Sequence, residues 1–181
     1  GLFLALLRKT SGTAPVEPPT AAASRRPARD KRRKASAVEA PPRELRTWLR
    51  AADDFDLRLQ PDGRWHAVAR PHADFVERLA GTARLLVSGV TVAERKGPKL
   101  IPHAALALST ALSPEAFPTV ALSPAEARAF LRREALVLPP DASRGYVLAT
   151  FDGLPLGWLN NLGSRANNLY PSEWRLRLTE A

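Results

Sequence analysis

The sequence predicts an α+β protein of two small domains, preceded by a disordered linker. The second domain is expected to be a mostly β, barrel-like module with one helix. Three observations support this prediction. Proline-rich sequence without aromatic residues gives way to periodic apolar sequence near Arg43, short alternating segments are separated by glycine turns, and one helix-capping motif stands in the second half. Because 45% of the 181 residues are hydrophobic, the chain can bury a real core.

Residues 10–42 form the predicted linker, because they contain six prolines and no aromatic side chain. Within it, residues 24–34 carry seven basic side chains and one acidic one, and we call them the basic arm. Two interpretations of this arm stay open: a solvated tether, or an arm that binds nucleic-acid phosphates. Residues 1–50 account for +8 of the net charge of +9 (12 basic, 4 acidic), so overall charge predicts nothing about the folded part.

The first folded domain is predicted over residues 43–112. Leu45, Trp48 and Leu49 share one face of a helix over residues 44–52, which opens the domain. Pro61-Asp62-Gly63 lies between two alternating segments and predicts a hairpin, since glycine adopts the positive φ that a tight turn needs. The remaining predictions for this domain are strands over 55–59, 64–69, 84–87 and 90–95, and helices over 71–81 and 102–112.

The second domain is predicted over residues 113–181. Ser123-Pro124-Ala125-Glu126 is a capping box, in which the hydroxyl and the carboxylate satisfy free amides at a helix start, and the helix is expected to reach about Arg133. Asp152-Gly153 separates two apolar segments and is the strongest hairpin signal in the chain. The predicted strands of this domain are residues 136–138, 145–151, 154–159 and 174–178.

Catalytic and metal-binding motifs are not found in this sequence. It has no cysteine, which excludes disulfides, thiolate metal sites and cysteine nucleophiles within these residues. His66, His72 and His103 do not stand at metal-ligand spacing. The acidic group at residues 53–56 has no base or nucleophile nearby and is interpreted as a solvated turn. We therefore expect no catalytic residue, no metal and no bound cofactor in this chain.

Residues 144–177 interleave aromatic, amide and guanidinium side chains. Such a surface can stack on unpaired bases, contact their edges and hold phosphates. The same residues could instead be core aromatics and loop asparagines of an ordinary β module. Residue chemistry alone leaves both interpretations open.

A family resemblance covers nearly everything except the linker. The stretch RGYVLATFDGLPLGWLNNLGSRANNLYPSEWRLRL, residues 144–178, resembles the C-terminal PUA-like domain of RsmF-type rRNA 5-methylcytosine methyltransferases of the Sun/NSUN class. LLVSGVTVAERKGPKLIPHAALALS, residues 85–109, resembles the smaller domain before it, and FPTVALSPAEARAFLRREAL, residues 117–136, resembles the start of the last domain. GLFLALLRK, residues 1–9, resembles the last strand of the family's catalytic domain.

The resemblance implies a catalytic domain upstream of residue 1, which would bind S-adenosylmethionine and attack cytosine through cysteines. Since the chain does not begin with Met, we expect it to start inside such a protein and not to be an enzyme alone. The implied partners are rRNA, of the small subunit, and the protein's own catalytic domain. We further expect a cytoplasmic monomer without membrane contact.

The predicted RNA-binding residues supply cations, one amide and one aromatic ring: Lys96, Lys99, Arg144, Arg165, Asn168, Tyr170, Arg175 and Arg177. Relatives commonly carry lysine where this sequence has Asn160 and Asn167, so the resemblance implies fewer phosphate contacts here. The alternative function is a structural or protein-interaction appendage that packs on the catalytic domain or on a ribosomal protein.

Overall fold

The computed structural model describes residues 39–177 except Arg84 and Leu86, and all of these residues belong to one compact unit. The predictions for residues 1–9, for linker residues 10–38 with the basic arm, and for residues 178–181 lie outside the described residues. No helix within the described part is long and apolar enough to cross a membrane. The elements in chain order are α1 Arg43–Thr47, β1 Phe55–Leu59, β2 Arg64–Ala69, α2 Arg70–Thr82, β3 Val90–Lys96, β4 Lys99–Pro102, α3 Ala104–Ala107, β5 Thr119–Ala121, α4 Pro124–Leu131, β6 Gly145–Phe151, β7 Leu154–Asn161 and β8 Ala166–Asn168, with 3₁₀ turns at Ala52–Asp54 and Ser172–Trp174.

The first sheet is a four-stranded antiparallel meander in the order β1-β2-β3-β4. The hairpin between β1 and β2 is confirmed, with Leu59 opposite Trp65 and Gly63 at φ +83°. Helix α2 follows β2 directly and begins with Pro71 in its first turn, where a missing amide hydrogen costs nothing. This α2 helix continues through Gly81 and ends at Thr82, one residue beyond the prediction.

The second sheet has the order β5-β6-β7-β8, and β5 runs parallel to β6 while the other pairs are antiparallel. Strands β6 and β7 form the hairpin that Asp152-Gly153 predicts. Both turn residues have positive φ, +50° and +74°, which is the geometry of a type I′ turn. The α+β fold class is confirmed, with two four-stranded sheets and a few helices.

The two sheets share a hydrophobic core. The Phe117 ring lies between the rings of Trp48 and Trp158, with centroid distances of 5.0 and 4.5 Å. Trp158 of β7 is 1% exposed, and its indole nitrogen donates to the carbonyl oxygen of His103 at 2.8 Å. Trp158 and Leu148 of the second sheet therefore belong to the core cluster under the first sheet. A separate cluster around the fully buried Phe130 fills the space between α4 and the second sheet.

Two predicted helices of the first half are shorter than expected. The helix expected over residues 44–52 ends at Thr47, and Ala51 adopts a left-handed φ of +51° that a helix cannot contain. In the segment expected as a helix over 102–112, Pro102 ends β4 and only Ala104–Ala107 are helical. Its alanines and leucines reflect burial rather than a long helix. Leu85 and Val87 lie outside any strand, contrary to the strand expected over residues 84–87.

Two predicted strands of the second half are also wrong. Leu136 makes a single bridge to Ala166 instead of a strand over residues 136–138. In place of the strand expected over residues 174–178, Trp174 ends the second 3₁₀ turn, and the Leu176 amide donates to the Leu131 carbonyl of α4 at 2.8 Å rather than to a strand. The short strands β5 and β8 replace these two in the sheet.

The capping box at α4 is confirmed. The Ser123 hydroxyl accepts from the Glu126 amide at 3.3 Å, and the Glu126 carboxylate accepts from the Ser123 amide at 2.8 Å. The Ser123 side chain also donates to this carboxylate at 2.7 Å. These hydrogen bonds, that of the hydroxyl first, hold the pKa of Glu126 below its ordinary value.

Replacing Ser123 with alanine is expected to lower the free energy of unfolding by about 1 kcal/mol, since the first turn of α4 loses its cap. Ser123→Thr keeps the hydroxyl and should recover most of this loss. Because the folded-state pKa of Glu126 is depressed, its contribution is full above the unfolded-state pKa and is lost as the pH falls through the folded-state value. Urea unfolding of the three chains at neutral and acidic pH measures both effects. An alanine variant as stable as the wild type at neutral pH would contradict them.

Candidate nucleic-acid interface

Two of the predicted contact residues, Arg144 and Arg165, lie together at one end of the second sheet. Arg144 precedes β6, and its guanidinium packs over Gly163 in the loop between β7 and β8. A methyl group built on Gly163 would stand 2.8 Å from Arg144 Nη2. Arg165 belongs to the same loop, where its carbonyl accepts from the Leu162 amide at 2.9 Å. Both arginines are exposed, and we call this place the arginine end of the sheet.

Lys96 and Lys99 lie in the first sheet, at the turn between β3 and β4. They are directly paired and both exposed, so the two ammonium groups leave the same face of the turn. Their neighbour Arg95 is engaged: Glu39 binds its guanidinium through both carboxylate oxygens, and the guanidinium carbon lies 5.8 Å from the centre of the Trp65 ring. Hydrogen bonding to Arg95 lowers the pKa of Glu39. The two lysines thus form a second pair of basic residues, which lies on the first sheet.

Asn168 and Tyr170 face α4. The Asn168 amide nitrogen donates to the carbonyls of Phe130 and Glu134 at 2.8 and 3.1 Å, and its oxygen accepts from the Tyr170 amide at 2.9 Å. The Tyr170 ring packs edge-on against Phe130 and Trp174, at centroid distances of 5.3 and 5.9 Å. Both residues hold the end of α4 in place, a role that sequence reasoning missed. Direct contact of either residue with RNA stays a prediction.

Arg175 and Arg177 follow the second 3₁₀ turn, and both side chains are exposed. The residue between them, Leu176, is fastened to the last residue of α4 through its amide. These two arginines therefore flank a residue that is attached to the end of α4. The structure brings together Arg144 with Arg165 and Lys96 with Lys99, and it shows no contact of Arg175 or Arg177 with either pair among the described residues.

β7 and β8 each contain two consecutive asparagines, and the two side chains of each doublet lie on opposite faces of the sheet. Asn161 is 4% exposed, donates to the carbonyls of Ala142 and Ser143 at 3.1 and 3.0 Å, and accepts from the Gly163 amide at 2.9 Å. It thereby shapes the loop that carries Arg165. Its neighbour Asn160 points to the opposite face of the sheet, because successive strand side chains alternate. In β8, Asn167 alternates with Asn168 in the same way.

His66 and His103 make hydrogen bonds that stabilise the fold. His66 lies between the Ser88 carbonyl and the Thr91 hydroxyl, 3.3 Å from each. The His103 Nδ1 accepts from the Ala105 amide at 3.1 Å and so caps α3. Burial, helped by the positive charge of Arg64, lowers the pKa of His103, in keeping with a neutral accepting ring. Within the described part of the chain, no group of three or more His, Asp or Glu side chains is placed to hold a metal ion.

Comparison with known families assigns the C-terminal part of the chain. The family model described as the PUA domain of the methyltransferase RsmF matches residues 117–176. This match begins at Phe117 in the shared core and includes all of the second sheet, α4 and the arginine end. No curated protein matches the chain. Residues 117–176 therefore form a PUA-like domain of the type found in the methyltransferase RsmF.

Proposed function

We propose that this chain is the RNA-docking region of an rRNA cytosine-5 methyltransferase. It would hold structured rRNA, of the small subunit, while a catalytic domain that uses S-adenosylmethionine modifies the cytosine. One observation carries the proposal: the match to an RsmF-type PUA domain falls on the sheet whose end presents Arg144 and Arg165 to solvent. PUA domains bind RNA, so RNA is the partner that this end of the sheet fits best.

Phosphate contacts are the first function of the arginine end in this proposal. A guanidinium presents several donors in a fixed plane and binds phosphate oxygens in pairs. Arg144 is restrained against Gly163, so it loses little side-chain freedom when it binds. Such contacts fix the position and orientation of an RNA without reading its sequence. The position of the bound RNA would then bring the cytosine to the catalytic domain, and no residue of this chain would take part in the reaction.

The test is binding of the full chain to small-subunit rRNA fragments over a series of salt concentrations. Arg144→Ala combined with Arg165→Ala should weaken binding and reduce the slope of log K against log salt by about 1.5, since two phosphate contacts are lost. The matched control is Arg70→Ala combined with Arg78→Ala, which removes two exposed charges from α2. The control should leave the salt slope within about 0.3 of the wild type.

The basic arm needs its own control. Replacing its seven basic residues with serine removes nonspecific attraction without shortening the chain. Site-selective binding that survives this replacement supports recognition by the folded residues. Binding that disappears with the arm charges, or a double arginine variant that binds like the control, would contradict the proposal.

A second candidate function is a protein-interaction appendage, favoured by apolar side chains on α2. Phe75 and Leu79 stand one helical turn apart and are 57% and 36% exposed. Beside them, a groove of about 670 Å³ runs between α2 and the first sheet, and Val76 and Val87 contribute to its lining. This surface fits an apolar partner such as the catalytic domain or a ribosomal protein. It predicts that Phe75→Ser weakens association with that protein partner and leaves RNA affinity unchanged.

A further inference from the structure

Three side chains form a row across the second sheet beside the arginine end. Tyr146 of β6 is directly opposite Asn160 of β7, and Asn160 is directly opposite Asn167 of β8. Directly paired residues project from the same face with their Cβ atoms about 5 Å apart, so the row is about 10 Å long. All three side chains are partly buried. We call these three residues the Tyr-Asn-Asn row.

The two amides of the row have no hydrogen-bond partner among the described residues, so they can bind a ligand. Asn161 and Asn168, their neighbours in sequence, use both amide hydrogens on backbone carbonyls. Among the described residues, by contrast, no protein group hydrogen-bonds to the side chains of Asn160 or Asn167. Each free amide offers two donors and one acceptor side by side. The row thus presents neutral hydrogen-bonding groups that no described protein group occupies.

Two residues next to the row on the same face are held in the hydrophobic core. Trp158 lies two residues before Asn160 on the same face and is held by the His103 carbonyl in the shared core. Leu148, two residues after Tyr146, is buried in the same cluster. One side of the row is therefore fixed by the core. Along the chain, Arg144 comes two residues before Tyr146 and Arg165 two residues before Asn167, so a ligand held by its phosphates at the arginine end can place a base near the row.

The charge around the row favours a base over a phosphate. None of the three side chains carries a positive charge at neutral pH. Burial raises the pKa of the Tyr146 hydroxyl, and the nearby carboxylate of Glu44 raises it further. The hydroxyl therefore stays protonated, and a negative charge stands close enough to act on it. The Glu44 carboxylate would repel a phosphate placed beside this hydroxyl.

We propose that Tyr146, Asn160 and Asn167 form a binding site for an unpaired nucleobase of RNA. The base edge hydrogen-bonds to the two amides, because adjacent donors and acceptors on a base match those of a side-chain amide. The Tyr146 ring supplies an aromatic contact for the base. The proposal rests on RNA binding by the arginine end, which holds the phosphates while the row holds the base.

The experiment compares two probes, an oligoadenylate of about eight nucleotides and an abasic oligonucleotide with the same number of phosphates. The full chain is used, since any attraction of the basic arm to phosphates would be common to both probes and would cancel in the ratio of affinities. The wild type should bind the oligoadenylate about tenfold or more tightly than the abasic probe. Asn160→Ala combined with Asn167→Ala should remove most of this ratio while leaving affinity for the abasic probe unchanged.

Two further variants separate a base contact from a phosphate contact. Asn160→Lys combined with Asn167→Lys should increase the salt slope by about 1.4, as two phosphates gain cations, and should lower the ratio between the probes. Thr110→Ala combined with Thr119→Ala changes two exposed neutral side chains elsewhere and should alter neither quantity. Thermal unfolding of each variant shows whether the fold is retained.

The outcomes distinguish this proposal from the function on which it rests. A double alanine variant that folds and keeps the wild-type ratio overturns the base site and leaves the arginine end untouched. Equal losses on both probes overturn it too, since the row would then contact phosphate or ribose. A wild-type chain that binds neither probe nor the rRNA fragments overturns both proposals.

Discussion

Replacing Gly89 with alanine is expected to lower the free energy of unfolding by about 2 to 5 kcal/mol, because two costs add. Gly89 has a φ of +67°, which strains any L-residue by about 1–2 kcal/mol. A Cβ at this position would also stand 2.1 Å from the Ala67 carbonyl oxygen and 2.9 Å from its carbon. These are backbone atoms of β2, so the clash cannot be relieved by rotating a side chain, and the overpacking costs about 1–3 kcal/mol more.

The matched control is Gly81→Ala in α2. A Cβ there meets nothing within 4 Å, and the residue is in a helix, where alanine is the better former. This variant should be stabilised by about 0.4–1 kcal/mol. Urea unfolding of the two glycine variants beside the wild type provides the measurement. If Gly89→Ala unfolded like the wild type, the close approach of residue 89 to β2 would not exist in solution.

Gly89 illustrates what local sequence can and cannot predict. The hairpins at Gly63 and at Asp152-Gly153 are predictable because turn chemistry lies within a few residues. The need for glycine at residue 89 comes from β2, some twenty residues away, and no local pattern shows it. The same limit explains β5 and β8. Each has three residues, too few for a period, and β5 exists because it pairs in parallel with β6.

Overprediction of helix and strand also has a physical cause. The Ala- and Leu-rich segment after Pro102 is apolar because it packs in the shared core, and an apolar run does not distinguish a long helix from a short buried turn. Trp174 and Leu176 alternate with polar residues, although Trp174 belongs to a 3₁₀ turn and Leu176 to the chain after it. Leu176 bonds to the end of α4, a partner that alternation cannot identify.

The candidate site was predictable in composition but not in arrangement. The interleaved amides, aromatics and guanidinium groups of residues 144–177 are compatible with a nucleic-acid surface and with an ordinary β module. Which asparagine of each doublet binds backbone carbonyls depends on strand register, and a shift of one residue would exchange their roles. The sequence therefore predicts an RNA contact at Asn168, whose amide serves the end of α4, and none at Asn160 or Asn167. The exposure of Arg144 and Arg165 does not depend on register, because both lie outside the strands.

Trp158→Ala is expected to cost about 3–5 kcal/mol, a large share of the stability of a small protein. The residue is 1% exposed and packs against the Phe117 ring in the core that the two sheets share. Because it belongs to the second sheet yet packs in the core under the first, its loss should destabilise both sheets together. Urea unfolding followed by far-ultraviolet circular dichroism and by tryptophan fluorescence should give one coincident transition in the wild type. Two separate transitions would show that residues 43–112 and 113–181 unfold as independent domains.

The two buried tryptophans offer a matched comparison of the Trp158 hydrogen bond. Trp158 donates from its indole nitrogen to the His103 carbonyl, whereas the Trp65 indole nitrogen is buried without a partner in the described residues. Replacement with phenylalanine leaves a smaller apolar ring at either site. Trp158→Phe loses a hydrogen bond in addition, so it should cost about 1 kcal/mol more than Trp65→Phe. Since the His103 carbonyl also accepts from the Leu106 amide at 3.0 Å, it keeps one partner, and the difference should not greatly exceed this value. Equal losses in the two variants would mean that Trp158 joins the sheets by packing alone.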